Sequence, residues 1–422
     1  MDETPRSCLI IGAGHAGVAL AVALRQGGWS GPVTVIGDEG GLPYERPPLS
    51  KGFLAGDREA GEFLLRPADF FDKHDIELVE GRVASIDRDA HAVVLDSGET
   101  LTYDKLAFAT GAAPVRLPVE GADLPGVHLL RTIADVQGIR DDLAELAASG
   151  TESARVVLVG GGYIGLEAAS SLRVRGHDVT VLEAADRVLA RVTAPPVSAF
   201  YERVHGEEGV RIATGVTVEA VEGDDRVRGV RLAGGDTVPA DLVIMGVGVR
   251  ANAGLAEAAG LEVDAGIVVD GCCRTADPDI VALGDCARVR REEGGRLICL
   301  ESVPNAREQA KAAAGALVGE PVEDDSVPWF WSDQYDLTLQ MAGDSSRHDE
   351  VVVRGDIEAG RSFAVFYLDE GRLVAAECVA RPREFMMAKK LLALGASPDP
   401  ARLVDEDVPV KELMRELVQQ AS

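Results

Sequence analysis

Cys8-Leu9-Ile10-Ile11-Gly12-Ala13-Gly14-His15-Ala16-Gly17-Val18-Ala19-Leu20-Ala21-Val22-Ala23-Leu24 sets an apolar run, a glycine turn and a helical segment in direct succession. A second apolar run, Val33-Thr34-Val35-Ile36, then ends at Gly37-Asp38. Strand, glycine turn, helix, strand and acid is the order of a dinucleotide-binding βαβ unit. The order recurs. Arg155-Val156-Val157-Leu158-Val159 leads into Gly160-Gly161-Gly162-Tyr163-Ile164-Gly165, a helical segment from Leu166 to Leu172, the strand Val179-Thr180-Val181-Leu182 and Glu183. Asp38 lies 26 residues beyond Gly12, Glu183 lies 23 beyond Gly160, and the copies begin 148 residues apart. A lone GxGxxG is weak evidence, but two copies in full context predict two bound nucleotides and a doubly represented Rossmann-like α/β fold. In such turns the glycines let backbone approach a pyrophosphate, and the helix N-terminus offers it unpaired N–H groups. The acid that closes the second strand accepts from ribose hydroxyls and repels a 2′-phosphate, so Glu183 predicts NADH rather than NADPH.

The surrounding composition narrows the classes. A chain of 422 residues implies two or three domains. Its 46% hydrophobic and 27% charged residues describe a globular protein. A net charge of −28 argues against a general nucleic-acid or anionic-membrane binder. No apolar run is long enough to span a bilayer, and Met1-Asp2-Glu3-Thr4-Pro5-Arg6 lacks the order of a signal peptide, so a cytoplasmic location is expected. The six cysteines show no C-x-x-C or C-x4-C spacing, and the seven histidines no metal or triad spacing, so no metal site is expected. Adjacent Cys272 and Cys273 read as small buried apolar residues.

Between the two βαβ units, Val83 to Leu101 reads as short strands with a hairpin tip at Asp96-Ser97-Gly98-Glu99. Buried strands are expected at Leu106–Phe108, before Thr110-Gly111, and again at Leu242–Met245, before Gly246. Another, Ile280–Leu283, ends at Gly284-Asp285. After Pro321 an acidic stretch leads to Trp329-Phe330-Trp331 and a strand-rich region, then a helix from about Glu384 to Leu394. The expected domains are residues 1–115 with 246–322, then 116–245, then an α+β domain at 323–422.

Pro47-Pro48-Leu49-Ser50-Lys51, Gly160 to Glu167, Arg191-Val192-Thr193-Ala194-Pro195-Pro196-Val197-Ser198, Ala282-Leu283-Gly284-Asp285-Cys286 and Trp329-Phe330-Trp331-Ser332-Asp333-Gln334 carry a resemblance. The chain resembles the pyridine-nucleotide flavoprotein reductases of glutathione-reductase-like architecture. Within them it is similar to the oxygenase-coupled ferredoxin reductases of the putidaredoxin-reductase type, over essentially its whole length. The resemblance implies FAD in the first unit (1–115 and 246–322) and NADH in the second. It places Gly12, Gly14, His15, Ala16, Gly17, Asp38, Arg46, Pro48, Lys51, Val83, Thr110, Gly111, Arg131, Asp285, Val303 and Trp331 about the FAD. Asp38 would meet the adenosine ribose, Arg46 the phosphates, and Asp285 the ribityl and pyrophosphate side. Gly160, Gly162, Tyr163, Ile164, Gly165, Glu183, Arg191, Gly246 and Glu301 would hold the NADH. Lys51, beside the isoalloxazine ring, and its partner Glu167 would be the catalytic pair, because a fixed cation favours hydride uptake by a flavin that becomes anionic.

The expected reaction takes a hydride from NADH onto FAD and passes electrons singly to a 2Fe–2S ferredoxin serving a monooxygenase or dioxygenase. Disulfide reductases and NADH oxidases of this plan carry redox cysteines after the first unit, and Gly41-Leu42-Pro43-Tyr44-Glu45 has none. An acidic ferredoxin would be steered by basic stretches, one at 286–311 with Arg288, Arg290, Arg291, Arg307 and Lys311, the other at 381–390 with Lys389 and Lys390. A solvated mixed-charge face explains each stretch equally well. Two alternatives stay open: a reductase for rubredoxin or a quinone, and a non-catalytic redox-sensing flavoprotein of the apoptosis-inducing-factor kind.

Overall fold

A computed structural model describes residues 6–290 and 296–420. The chain forms two compact units. One gathers the described residues up to Arg46 with Ala60–Ala113 and Val249–Ser326; the other gathers Pro47–Glu59, Pro114–Gly248 and the chain from Val327 on.

In the first unit the quoted run forms the strand Cys8–Ile11, followed by the helix His15–Gln26 and the strand Val33–Gly37. These join Ile76–Glu80, Lys105–Phe108 and Ile280–Ala282 in a five-stranded parallel sheet with Cys8–Ile11 at its centre. Its middle strands are apolar at nearly every position because both faces are covered, as parallel sheets require. Val83–Asp87, Ala92–Leu95 and Thr100–Thr102 form a separate antiparallel sheet with its turn at Asp96–Glu99.

In the second unit the pattern repeats as the strand Arg155–Val159, the helix Tyr163–Val174 and the strand Asp178–Leu182. The sheet adds Arg211–Ala213, Leu242–Met245 and Val127–His128, again all parallel. The same unit contains a five-stranded antiparallel sheet of Trp329–Gln334, Leu337–Gly343, Arg372–Val379, Ser362–Asp369 and Glu350–Asp356, in that spatial order. The helix Pro382–Leu394 packs its Phe385, Met387, Ala388 and Leu391 on it. Two helices follow that the sequence reading did not anticipate, Pro400–Val404 and Val410–Gln420. The fold is thus α/β, with two Rossmann-like sheets and an α+β portion.

The antiparallel sheet buries one carboxyl among its core residues. Glu377 is 1% exposed and stands opposite Met341 and Val365 in register. Burial pushes its pKa up to about 8, against the opposing pull of the Tyr367 phenol and the Arg187 guanidinium.

Candidate active site

The two glycine turns are closed in the same way. At Gly12 φ is +115°, and a Cβ built there would stand 2.2 Å from the Ala109 carbonyl oxygen; at Gly160 φ is +111°, and the oxygen is that of Gly246 at 2.4 Å. A Cβ on Gly17 would meet the Gly12 carbonyl at 1.9 Å, and one on Gly165 the Gly160 carbonyl at 2.1 Å. Those positions lock helix onto strand. Gly14 and Gly162 differ, since a Cβ on either would meet nothing within 4 Å. Each is the N-cap of a 12-residue helix with no side-chain cap and no acid in the first turn. Open space faced by uncapped N–H groups is what the pyrophosphate of a dinucleotide needs.

The acids are not equivalent. Ile36 pairs with Ile11 as Leu182 pairs with Val159, so Glu183 corresponds to Gly37, and Asp38 stands one residue further on. Asp38 is exposed. Glu183 is half-buried; its Oε2 accepts from the Gly161 N–H at 2.6 Å and its Oε1 from the Ala185 N–H at 2.8 Å. The second unit therefore anchors its acid on its own glycine turn.

Two other expected residues of the first unit, Gly284 and Thr110, stand against its turn. Gly284, at φ +75°, packs so closely that a Cβ would stand 2.9 Å from that of Ala16, and its N–H donates to Gln309 Oε1 at 2.7 Å. Asp285 follows, half-buried. Thr110 Oγ1 donates to the Asn252 carbonyl at 2.7 Å, and Asn252 Nδ2 donates back to the Thr110 carbonyl at 2.9 Å. Gly111 holds φ +64°. Arg46 forms an ion pair with Glu39, and its guanidinium lies 5.4 Å from the centroid of the Tyr44 ring. Val83 is buried at a strand start, half-buried Val303 opens the helix Val303–Val318, Glu301 is exposed two residues before it, and His15 opens the first helix.

In the second unit Pro47–Ser50 makes one 3-10 turn with Pro48 buried, and this delivers Lys51 to Glu167, Nζ to Oε2 at 2.8 Å. Glu167 is 1% exposed and Lys51 21%. Ser50 Oγ donates to Glu167 Oε2 at 2.6 Å, and Ser332 Oγ to Oε1 at 2.7 Å. Sequence reasoning named neither serine, although both stand inside motifs it quoted. Three donors around one buried carboxylate satisfy it fully, the condition on which a buried charge is tolerated. Tyr163 turns away from its glycine turn: the phenol is buried, which raises its pKa, and donates to Met341 Sδ at 2.7 Å. Ile164, by contrast, is 46% exposed beside Gly162. Arg191 lies near Gly248, its guanidinium 3.7 Å from where a Cβ there would be. The Arg131 N–H donates to Asp135 Oδ2 at 3.0 Å. Tyr163, Phe330, Trp331 and Trp329 follow ring to ring at 4.9, 6.3 and 5.7 Å, and Lys389 Nζ lies 4.7 Å over Trp329.

The expected basic stretches are less free than their sequence implies. Arg290 pairs with Glu262 at 2.6 Å, Lys311 with Glu308 at 2.7 Å, and Arg288 with Asp264 at 3.7 Å. Arg291 lies outside the described residues. All six cysteines are free, five of them buried. Burial lifts the Cys8 and Cys299 thiols to about 12 and raises Cys273 as well, so they stay protonated and unreactive. Among the described residues no cluster could hold a metal, and no helix is long and apolar enough to cross a membrane.

The chain belongs to the pyridine nucleotide-disulphide oxidoreductase family, whose profile matches residues 6–313, with a reductase C-terminal profile over 329–414. It is 45% identical over 410 residues to the 5,5′-dehydrodivanillate O-demethylase ferredoxin reductase subunit of Sphingobium, covering 96% of this chain and 98% of that one. To putidaredoxin reductase of Pseudomonas putida it is 43% identical, covering 96% of each. A chain of the covalent putidaredoxin reductase–putidaredoxin complex superposes with a TM-score of 0.93 at 42% identity, over 99% of this chain and 100% of that one.

Proposed function

We propose that this protein is an FAD-containing, NADH-dependent ferredoxin reductase that supplies single electrons to a 2Fe–2S ferredoxin of an oxygenase system, in the cytoplasm. The observation that carries the reading is the pair of identically closed glycine turns, each with its middle position open. Of the relatives named above, one is the ferredoxin reductase subunit of an O-demethylase and another a putidaredoxin reductase. Although the family takes its name from disulfide chemistry, the described thiols of this chain are unpaired and held protonated, so the electrons leave for an outside acceptor.

FAD, when bound, supplies the chemistry of accepting a hydride from NADH and releasing its two electrons one at a time. The chain's residues do the rest. Gly12, Gly14, His15, Ala16 and Gly17 cradle the FAD pyrophosphate, with Asp38 on the ribose side, and Gly160, Gly162, Ile164 and Gly165 cradle that of NADH. Glu183, already fixed by two backbone N–H groups, accepts from the ribose and repels a 2′-phosphate. Lys51 holds a positive charge where negative charge accumulates, and Glu167 fixes its ammonium. We assign residues 1–115 with 246–322 to FAD binding, 116–245 to NADH, and 323–422 to the C-terminal domain. Lys389, with Lys390, offers a cationic edge for an acidic ferredoxin.

The test is steady-state NADH oxidation with a 2Fe–2S ferredoxin, a rubredoxin and a quinone in turn. Ferredoxin is expected to be reduced at least tenfold more efficiently; equal or lower efficiency with ferredoxin would refute the reading.

A further inference from the structure

Behind Glu167 a line of buried polar groups runs to the turn at Tyr335, all within the second unit. Ser332 Oγ donates to Glu167 Oε1 at 2.7 Å, and Gln334 Nε2 donates to Ser332 Oγ at 3.2 Å. His205 Nε2 lies 2.8 Å from Gln334 Oε1, and the Tyr335 hydroxyl lies 3.1 Å from His205 Nδ1. Glu167, Ser332, Gln334 and His205 are each no more than 1% exposed. Ser332 and Gln334 are alternate residues of the strand Trp329–Gln334, so they share one face. Tyr335 sits at φ +56°, in the left-handed region that non-glycine residues seldom occupy, as it turns that strand into the next.

The direction of every bond in this line follows from its first member. A carboxylate only accepts, so the single Ser332 proton points to Glu167. Ser332 must then receive, which orients the Gln334 amide with its nitrogen toward Ser332 and its oxygen toward His205. That oxygen needs a donor, which places the imidazole proton on Nε2. Nδ1 is left bare and receives the Tyr335 hydroxyl. Burial lowers the His205 pKa to about 4, so the ring is neutral and has one proton to place. Burial raises the Tyr335 phenol, which stays a donor. The titratable and charged groups facing this line are Lys51, Tyr163 and Tyr201 about Glu167, Glu208 about His205 and Tyr335, and Arg173 and Arg361 about Tyr335.

We propose that Ser332, Gln334, His205 and Tyr335 are positioning residues that transmit one direction of hydrogen bonding to Glu167, committing its Oε1 inward so that Oε2 is presented to Lys51. The hydrogen-bond order stands by itself; its kinetic consequence rests on the role of Lys51 given above.

The experiment uses the flavin-loaded protein with 15N-labelled histidine, and reads the His205 tautomer from long-range 1H–15N correlations between pH 6 and 8. The wild type shows Nε2–H. In Glu167→Gln the new amide keeps its oxygen toward Lys51 and Ser50 and turns its NH2 on Ser332, which reverses each link in turn. His205 then carries its proton on Nδ1. A wild-type Nδ1–H, or a tautomer unchanged by Glu167→Gln, overturns the proposal. Ser332→Ala removes one oxygen and cuts the line; retention of pure Nε2–H in that variant overturns it too. In Gln334→Leu the limiting rate of flavin reduction is expected to fall about fivefold with NADH affinity within about twofold. An unchanged rate there beside a slowed Lys51→Ala also counts against the relay. Unchanged rates in both variants instead remove the catalytic role of Lys51, while the tautomer decides the hydrogen-bond line separately.

Discussion

Glu377→Gln replaces the buried carboxyl of the antiparallel sheet by a neutral group of the same shape, and its effect is fixed by pH. The folded protein raises this carboxyl from 4.5 to about 8 through burial. The folded state therefore holds a proton that the unfolded state releases above pH 4.5. Stability contributed by the protonated form is complete below 4.5 and is lost as pH rises toward 8. At 1.36 kcal/mol for each pKa unit, a rise of this size removes roughly 4 kcal/mol between pH 5 and pH 9. The amide has no proton to lose, so the variant escapes that loss. Denaturant unfolding of wild type and Glu377→Gln, with flavin bound, should show the variant gaining on the wild type by roughly 4 kcal/mol over that pH range. A difference that stays constant within about 1 kcal/mol would mean that the carboxyl is not held protonated by its surroundings.

Three further substitutions bear on the nucleotide sites. Gly14→Ala places its methyl in open space and should fold normally while losing at least about tenfold in FAD affinity, whereas Gly12→Ala meets the Ala109 carbonyl and should not give a stable fold; flavin absorbance and thermal melting separate the two. Glu183→Ala should narrow the kcat/KM preference for NADH over NADPH by about tenfold, equivalent to about 1.4 kcal/mol, as judged by steady-state rates with each nucleotide. Lys51→Ala should slow flavin reduction by at least about tenfold in stopped-flow absorbance, and a change within about twofold would empty the electrostatic role of content.

Much of this was legible because it is local. A glycine turn, the strand before it and the helix after it lie within some 20 residues, and the continuous apolar runs reported parallel strands covered on both faces. The same counting overlooked that the first acid stands one residue past its structural counterpart, since Gly37 occupies the place of Glu183 and only register reveals it. The pairing of Lys51 with Glu167 came from resemblance, not from spacing, for 116 residues separate them. His205 and Gln334, 129 apart, carry no local signal at all. Nor does Asn252, which folds back on Thr110. The basic stretches were weighed as net charge along the chain, and folding shows which acid each cation meets: Arg290 pairs with Glu262 and Lys311 with Glu308. The final helix, with Val410, Leu413 and Met414 spaced to face one side, has the required periodicity, but it follows Pro398, Pro400 and Pro409, which read as loop.

The serine that completes the Glu167 carboxylate belongs to the strand Trp329–Gln334, beyond the family profile that contains both glycine turns. Chimeras that exchange the tail of this enzyme with that of a relative are thus not exchanges of a docking accessory. Whatever follows residue 326 must bring a hydroxyl to the place of Ser332 and an amide to that of Gln334, or the lysine 281 residues before that serine loses its orientation.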